Sequence, residues 1–137
     1  MGSVRHRLDT KSAQTRAFLA RSVGFVPRKP RIEVPGAVHR VRTRVLPERA
    51  FVVDAHDLVA FRGILDRVVR CSGWRCHAFA ASAEGYVLDV ETPAPTLSVG
   101  MRELNGTFAR YLNDRDLACG HVFAARYESE VIAGPAN

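Results

Sequence analysis

Three arginines at alternate positions are the residues of this sequence best suited to bind a charged partner. Arg40, Arg42 and Arg44 alternate with Val41, Thr43 and Val45, and such alternation is typical of a β-strand with one basic face. A planar guanidinium group makes bidentate contacts with phosphate, and arginine outnumbers lysine 18 to 2. The row therefore predicts a phosphate-binding surface. The alternative is that these arginines only keep an exposed strand face soluble.

Positive charge is concentrated near the N-terminus. Residues 1–49 contain 12 Lys or Arg against 3 acidic residues, whereas residues 50–137 contain 8 against 11. A GC-rich genome also favours arginine codons, but it does not explain this asymmetry. The run PRKPR at residues 27–31 either contacts nucleic acid or is a solvated lead-in whose prolines prevent a helix. We expect contacts from its basic residues, Arg28, Lys29 and Arg31.

Apolar residues at helical spacing predict two helices. The first is capped by the side chain of Asp54 and ends at Gly73, and the second begins at Thr96 or Ser98. Their apolar stripes are Leu58, Phe61, Leu65, Val68 and Val69 in the first helix, and Leu97, Met101, Leu104, Phe108 and Leu112 in the second. Each helix therefore has one face to bury against a sheet.

Alternation predicts the strands of that sheet, residues 37–45, 74–82, 86–91 and 121–131. The middle two form a hairpin around residues 83–85. The order strand, helix, strand, strand, helix, strand is typical of an α+β ferredoxin-like fold, βαββαβ, with an antiparallel four-stranded sheet and both helices on one face. In the strand order 4-1-3-2 that this fold has, the arginine row lies on the open face beside Gly85, Val87 and Asp89.

Three further residues affect the predicted binding surface. Phe79 is expected to be an exposed aromatic that stacks on a base. Arg126 is expected to point outward from the last strand. Asp89 works against DNA binding, because a carboxylate beside a phosphate path repels it unless an arginine neutralises the charge.

Cysteine and histidine offer a rival site, a zinc centre. The candidate ligands form two groups, Cys71, Cys76 and His77 in one and Cys119 and His121 in the other. The predicted second and fourth strands are opposite sheet edges roughly 14 Å apart, so one chain cannot bring the groups to a single ion. A dimer that joins two edges is the remaining route. His39 and His56 have no partners at ligand spacing and are interpreted as structural or surface residues.

Several blocks of the sequence occur together in one known family. They are PRKPRIEVPGA at residues 27–37, VETP at 90–93, LSVGMRELNGTFARYLN at 97–113 and GHVFAARYES at 120–129. Collinear over these blocks, the sequence resembles the REP-associated tyrosine transposases, insertion-sequence type members of the HUH superfamily of single-strand transposases. The resemblance implies a ferredoxin-like fold that binds hairpin or single-stranded DNA. It also implies a His-hydrophobe-His strand that holds Mg²⁺ or Mn²⁺, and a tyrosine on a later helix that attacks the DNA phosphate.

The catalytic residues that the resemblance implies are missing at their expected positions. Counting back from VETP places the histidine pair at Gly85 and Val87, neither of which has a ligand atom. The family's nucleophilic tyrosine follows the GHVFAARYES block, and this sequence ends at Asn137 without a matching helix. The other tyrosines, Tyr86, Tyr111 and Tyr127, do not occupy the nucleophile position. We therefore predict a degenerate member without catalytic residues, bound metal or cofactor.

The sequence predicts a transposase-derived domain that binds single-stranded or hairpin DNA, in the bacterial cytoplasm and with a homodimer as one assembly. The domain spans residues 27–131, between a basic extension at 1–26 and a tail at 132–137. The first alternative is residual metal-dependent DNA nicking with Glu84, Asp89 and Glu91 as replacement ligands. The second is a structural or protein-interaction module that binds no nucleic acid. No apolar run is long enough for a membrane span.

Overall fold

The computed structural model describes residues 33–135, which form one sheet and two long helices. In chain order the elements are β1 (Val38–Arg44), α1 (Ala55–Ser72), β2 (Arg75–Ser82), β3 (Gly85–Glu91), α2 (Leu97–Asp116) and β4 (Glu128–Ala133). The predicted α+β ferredoxin-like order is confirmed. The predicted N-terminal extension lies outside the described residues. Within them, no helix combines the length and the apolar character needed to cross a membrane.

The sheet has the strand order β2-β3-β1-β4, and every neighbouring pair is antiparallel. The predicted arrangement with β1 and β3 in the centre is therefore confirmed. Side chains alternate along β1, so that Val41 joins the core while Arg40 and Arg42 lie on the opposite face. The core residues of both helices pack on the Val41 side, which leaves the arginine side as the face opposite the helices.

Both ends of α1 follow local signals in the sequence. The Asp54 carboxylate accepts a hydrogen bond from Asp57 N at 3.0 Å. At the other end Gly73 adopts the left-handed conformation, with φ 72°, and its N–H bonds to Val69 O. The predicted cap and stop are confirmed. The buried stripe includes Leu58, Phe61, Leu65 and Val68.

The N-terminus of α2 is capped by a distant residue. Thr96 occupies the N-cap position, as predicted, but its side chain caps no helical N–H. Instead the Glu33 carboxylate accepts hydrogen bonds from Leu97 N at 2.9 Å and from the Ser98 hydroxyl at 2.8 Å. Thr96 Oγ1 instead accepts a hydrogen bond from the indole N–H of Trp74 at 3.0 Å. Helix α2 is thus tied to the chain segment that precedes β1 and to Trp74, which lies between α1 and β2.

Trp74, the single tryptophan, is packed into this junction. Its side chain is buried, and a Cβ added at Gly100 of α2 would overlap the indole ring. Close approach of helix and indole therefore requires glycine at position 100.

The last strand begins later than predicted. Residues 121–131 were expected to form it, but β4 runs from Glu128 to Ala133, beyond the predicted domain end at residue 131. Phe123 makes only an isolated bridge to Val45, and Ala124 N bonds to Arg44 O at 2.9 Å. The chain then bends before it pairs with β1 again, and alternation alone does not reveal such an interruption. Arg126 consequently lies in an exposed bend and not on a strand.

An aromatic cluster fills the centre of the core. Phe51 lies 4.5 Å from Phe108 and 5.2 Å from both Phe61 and Tyr86, measured between ring centroids. Phe79 joins this cluster at 6.0 Å from Phe61 and is only 5% exposed. The expectation that Phe79 is exposed is therefore wrong.

The length of the hairpin turn explains this error about Phe79. A three-residue turn at residues 83–85 would pair Phe79 with Asp89, on the arginine face. The turn has only two residues, because Ser82 pairs with Gly85, and Phe79 therefore pairs with Leu88. A shift of one residue moves every side chain of a strand to the other face of the sheet.

Candidate nucleic-acid interface

The arginine row lies beside β3 in the register that the sequence predicts. Arg40 pairs with Asp89, Arg42 with Val87 and Arg44 with Gly85, all on the face opposite the helices. The three arginines are partly exposed, because the strand alternates between buried core residues and this face. The row is therefore present, and its electrostatic surroundings decide how it can bind an anion.

Arg40 is neutralised by Asp89. Its guanidinium group donates two hydrogen bonds to the carboxylate, from Nε at 2.8 Å and from Nη2 at 3.0 Å. The hydrogen bond to Asp89 raises the pKa of Arg40, which burial alone would lower, and the charge of Glu130 on β4 adds to the rise. This pair removes the repulsion expected from Asp89, but it also occupies one of the three arginines.

Arg42 forms a second cross-strand pair, with Glu128 of β4. Its Nε lies 2.5 Å from the carboxylate Oε1, and the two residues are paired in the β1–β4 ladder. The pairing of Glu128 with Arg42 depends on the β4 register and was not predicted. Glu130 lies opposite Arg40 in the same ladder. Four carboxylates, Asp89, Glu91, Glu128 and Glu130, thus share the strands around the row.

Arg44 differs from the other two arginines. Between residues 33 and 135 no ion pair to Arg44 is present, whereas Arg40 and Arg42 each have one. Arg44 lies at the hairpin end of the sheet in one row with Gly85 and Ser82. This row presents the guanidinium group of Arg44 and the hydroxyl group of Ser82, both partly exposed, whereas Gly85 between them is buried. It is the part of the face best suited to accept a phosphate.

The positions where the resemblance places the metal pair do not fit a metal. Gly85 and Val87 have no ligand atoms, and Val87 is only 3% exposed. A Cβ built at Gly85 would overlap the Thr43 carbonyl oxygen and lie 3.0 Å from Arg44 Cα. The proposed replacement ligands, Glu84, Asp89 and Glu91, also do not converge, because within the described residues they form no group with ligand atoms closer than 4.8 Å. No catalytic step through a metal is therefore derived for this face.

Ligand-type side chains converge elsewhere in the described chain, at the start of α1. Asp54, His56 and Asp57 have ligand atoms within 4.8 Å of one another, so the expectation that His56 lacks such neighbours is wrong. Both Asp57 oxygens are already used: Oδ1 accepts from the Tyr111 hydroxyl at 2.7 Å, and Oδ2 accepts from Arg115 at 2.9 Å. The group is a polar network that joins α1 to α2 in the helical layer.

His39 and Cys76 are at least partly buried, whereas the other two cysteines are exposed. His39 is fully buried, and its pKa is lowered because burial disfavours the charged imidazole. Burial also raises the pKa of the Cys76 thiol to about 11, which disfavours the thiolate that metals bind. Cys71 and Cys119 are exposed free thiols. The predicted positions of β2 and β4 at opposite sheet edges are confirmed.

The three tyrosines are held by hydrogen bonds in the packed layers. Tyr86 is buried, its hydroxyl bonds to Asn105 of α2, and burial raises its pKa. Burial and the bond to Asp57 raise the pKa of Tyr111 to about 12. The Tyr127 hydroxyl lies 3.2 Å from the Ser98 hydroxyl. For Tyr86 and Tyr111 these surroundings disfavour the phenolate and agree with a packing role.

Charge divides the chain at the start of the described fold. Residues 33–135 contain 12 Lys or Arg and 13 acidic residues, whereas residues 1–32 contain 8 against 1. The positive net charge of +6 therefore comes from the first 32 residues. Arg28, Lys29 and Arg31 belong to this segment, outside the described residues.

Comparison with solved structures finds this fold in transposases. A REP-associated tyrosine transposase bound to a REP hairpin superposes with a TM-score of 0.66 at 14% sequence identity, over 80% of this chain. This chain has the transposase fold. A putative transposase from Deinococcus radiodurans R1 superposes with a TM-score of 0.55 at 17% identity, over 77% of this chain. No family model and no curated protein matches the sequence.

The fold shared with this chain makes up only part of the longer of these two transposases. The chain spans 64% of the hairpin-bound transposase and 86% of the Deinococcus protein. The expectation that the sequence adopts the fold of this family is confirmed. At these identities the shared property is the backbone arrangement, and the binding residues must be argued from this chain itself.

Proposed function

We propose that this protein binds single-stranded or hairpin DNA on the sheet face opposite its helices, without cleaving it. The observation that carries the proposal is the row Arg44, Gly85 and Ser82, where a partly exposed guanidinium group without an ion pair among residues 33–135 lies in line with a partly exposed serine hydroxyl. A phosphate of the DNA backbone is accepted there by Arg44. Arg40 and Arg42 line the same face and, held by Asp89 and Glu128, orient their remaining N–H groups.

The basic N-terminal segment supplies most of the electrostatic attraction in this proposal. The described fold has one more acidic than basic residue, so it does not attract DNA by net charge alone. Residues 1–32 carry a net charge of +7, and their cations release counterions when they approach phosphates. Arg28, Lys29 and Arg31 bind the DNA backbone, while the sheet face holds the bound strand. Arg126, in its exposed bend beside β4, extends the basic contacts.

The proposal includes the absence of catalysis, which is supported by the lack of ligand atoms at the positions of the implied metal pair. Gly85 and Val87 offer no ligand, and Glu84, Asp89 and Glu91 do not converge. Tyr86 and Tyr111 are held in the core and the helical layer with raised pKa values. Incubation with hairpin DNA and Mn²⁺ is expected to give neither a nicked product nor a covalent protein–DNA adduct. Either product would refute this part.

The binding test compares two arginines that carry the same charge on opposite sides of the molecule. Fluorescence anisotropy with a labelled hairpin that has a single-stranded extension is measured for the wild type, R44A and R62A. Arg62 is an exposed residue of α1, in the helical layer. R44A is expected to weaken binding about tenfold, equivalent to one charge-assisted hydrogen bond, and R62A by less than about twofold.

Two results would contradict the proposed function. Equal weakening by both substitutions would mean that net charge, and not this face, carries the binding. An unchanged anisotropy of hairpin and single-stranded DNA at low salt would exclude DNA as the partner. A bacterial cytoplasmic setting and a homodimer belong to the same proposal, and light scattering on the purified protein measures the assembly.

A further inference from the structure

The main chain of β1 approaches β3 unusually closely at Gly85. This residue pairs with Arg44, and its φ of +152° is a value that other residues rarely adopt. A Cβ built here would overlap the Thr43 carbonyl oxygen and lie 3.0 Å from both the Thr43 carbonyl carbon and Arg44 Cα. All three atoms belong to the backbone of a central strand. No flexible side chain is available to move aside.

Several interactions hold both partners of this close approach in place. The turn before Gly85 is fixed by hydrogen bonds from Val45 N to Glu84 O at 3.0 Å and from Phe51 N to Ala83 O at 2.8 Å. On the other side, Arg44 O accepts a hydrogen bond from Ala124 N at 2.9 Å. Room for a side chain at position 85 would therefore require the central strand or the hairpin to shift and to break several of these bonds at once.

Core packing opposes the same shift. Thr43 is almost fully buried, and Tyr86, which follows Gly85, is fully buried with its ring 5.2 Å from that of Phe51. A displacement of either strand would move these side chains in a densely packed core, where added volume is poorly tolerated. The backbone at Gly85 is thus fixed by backbone hydrogen bonds and by packing on the core face of the sheet.

We propose that glycine at position 85 is a steric requirement of this fold, so that histidines restored at positions 85 and 87 create no divalent-metal site. Replacing Gly85 and Val87 by histidine therefore does not restore the metal pair that the resemblance implies. Its first position is closed by the backbone, and the strand pair has adapted to the absence of a side chain. This inference concerns stability and metal binding, and it holds whether or not the protein binds DNA.

The first test compares two glycine-to-alanine variants of the full chain. G85A introduces the obstructed Cβ, while G63A adds a Cβ in the middle of α1 where no atom lies within 4 Å. Thermal unfolding followed by circular dichroism is expected to show a melting temperature at least about 8 °C lower for G85A than for the wild type. G63A is expected to melt at or above the wild-type temperature, because alanine favours a helix over glycine.

The second test asks directly whether the metal site can be rebuilt. The double variant G85H/V87H and the wild type are titrated with Mn²⁺ in a calorimeter, and their thermal unfolding is recorded in parallel. The variant is expected to lose its cooperative transition, or to stay folded, without binding more Mn²⁺ than the wild type does. A folded double variant that binds one Mn²⁺ would overturn the proposal. A G85A melting temperature within about 2 °C of the wild type would overturn it as well.

Discussion

At the scale of single residues, the arginine row is defined as much by its carboxylate neighbours as by its charge. Alternation predicts Arg40, Arg42 and Arg44 on one face because a strand repeats every two residues, and this signal is local. The partners Asp89 and Glu128 come from two other strands, so their contacts depend on register. The pairing with Asp89 followed from the predicted fold. The pairing with Glu128 did not, because the interruption before β4 leaves no clear mark in the sequence.

The carboxylates beside the arginine row lead us to predict that removing one of them strengthens DNA binding. E128Q removes one ion-pair partner of Arg42 and a negative charge beside the proposed DNA path, and it should raise affinity for hairpin DNA about threefold. Glu128 is partly exposed, so the cost in stability should be small. Its control is E103Q, which removes the same charge from an exposed position of α2. Equal affinities of the two variants in anisotropy titrations would show that the acidic neighbours do not limit binding.

At the scale of elements, local signals predict α1 fully and α2 only in part. Asp54 and Gly73 cap α1 through their own side chain and backbone conformation, which can be recognised in the sequence. The cap of α2 is Glu33, which lies more than 60 residues away along the chain. Phe79 shows the same limit for strands. A turn one residue shorter than expected reversed its face, and no local property of Phe79 distinguishes the two registers.

The network between α1 and α2 predicts a pH-dependent stability. Burial alone would raise the pKa of Asp57, but hydrogen bonds from Tyr111 and Val53 N and the charge of Arg115 outweigh it, so the pKa is lowered. The stabilisation is therefore complete above the unfolded-state pKa of about 3.9 and is lost as pH falls through the lower folded-state value.

The D57N variant tests this pH dependence. At pH 7 it should reduce the free energy of unfolding by about 2 kcal/mol, because Arg115 loses the charge of its buried partner and keeps the ion pair with the partly exposed Asp116. In urea denaturation at pH 3 the difference from the wild type should be clearly smaller. D114N, at an exposed carboxylate of α2, should change little at either pH. A D57N deficit as large at pH 3 as at pH 7 would assign the effect to packing and not to the charge.

At the scale of the whole molecule, charge and fold are separated along the chain. Residues 33–135 form a nearly neutral scaffold, while the first 32 residues carry the excess positive charge. The charge asymmetry is visible in the sequence. The start of the neutral part is known only from the fold, because Arg40, Arg42 and Arg44 lie among the acidic residues of β3 and β4. The sequence assigned these three arginines to the basic third of the chain.

This separation predicts how salt affects binding. Replacing Arg28, Lys29 and Arg31 by alanine should weaken binding to all single-stranded sequences alike. It should also reduce the slope of log affinity against log salt concentration by about 2, the value for three lost phosphate contacts. The matched control replaces Arg62, Arg67 and Arg70, three exposed arginines of α1. A slope that changes equally in both triple variants would mean that the N-terminal segment makes no direct phosphate contacts.

The burial of Trp74 between the end of α1 and the start of α2 has an optical consequence. The protein has one tryptophan, it is only 4% exposed, and it packs on the helical layer, away from the arginine face. Its fluorescence emission therefore reports whether the two helices are assembled and is shielded from quenching by a nucleic acid on the other side of the sheet. A variant that loses affinity but keeps this emission has lost a contact, whereas one that loses both has lost its fold.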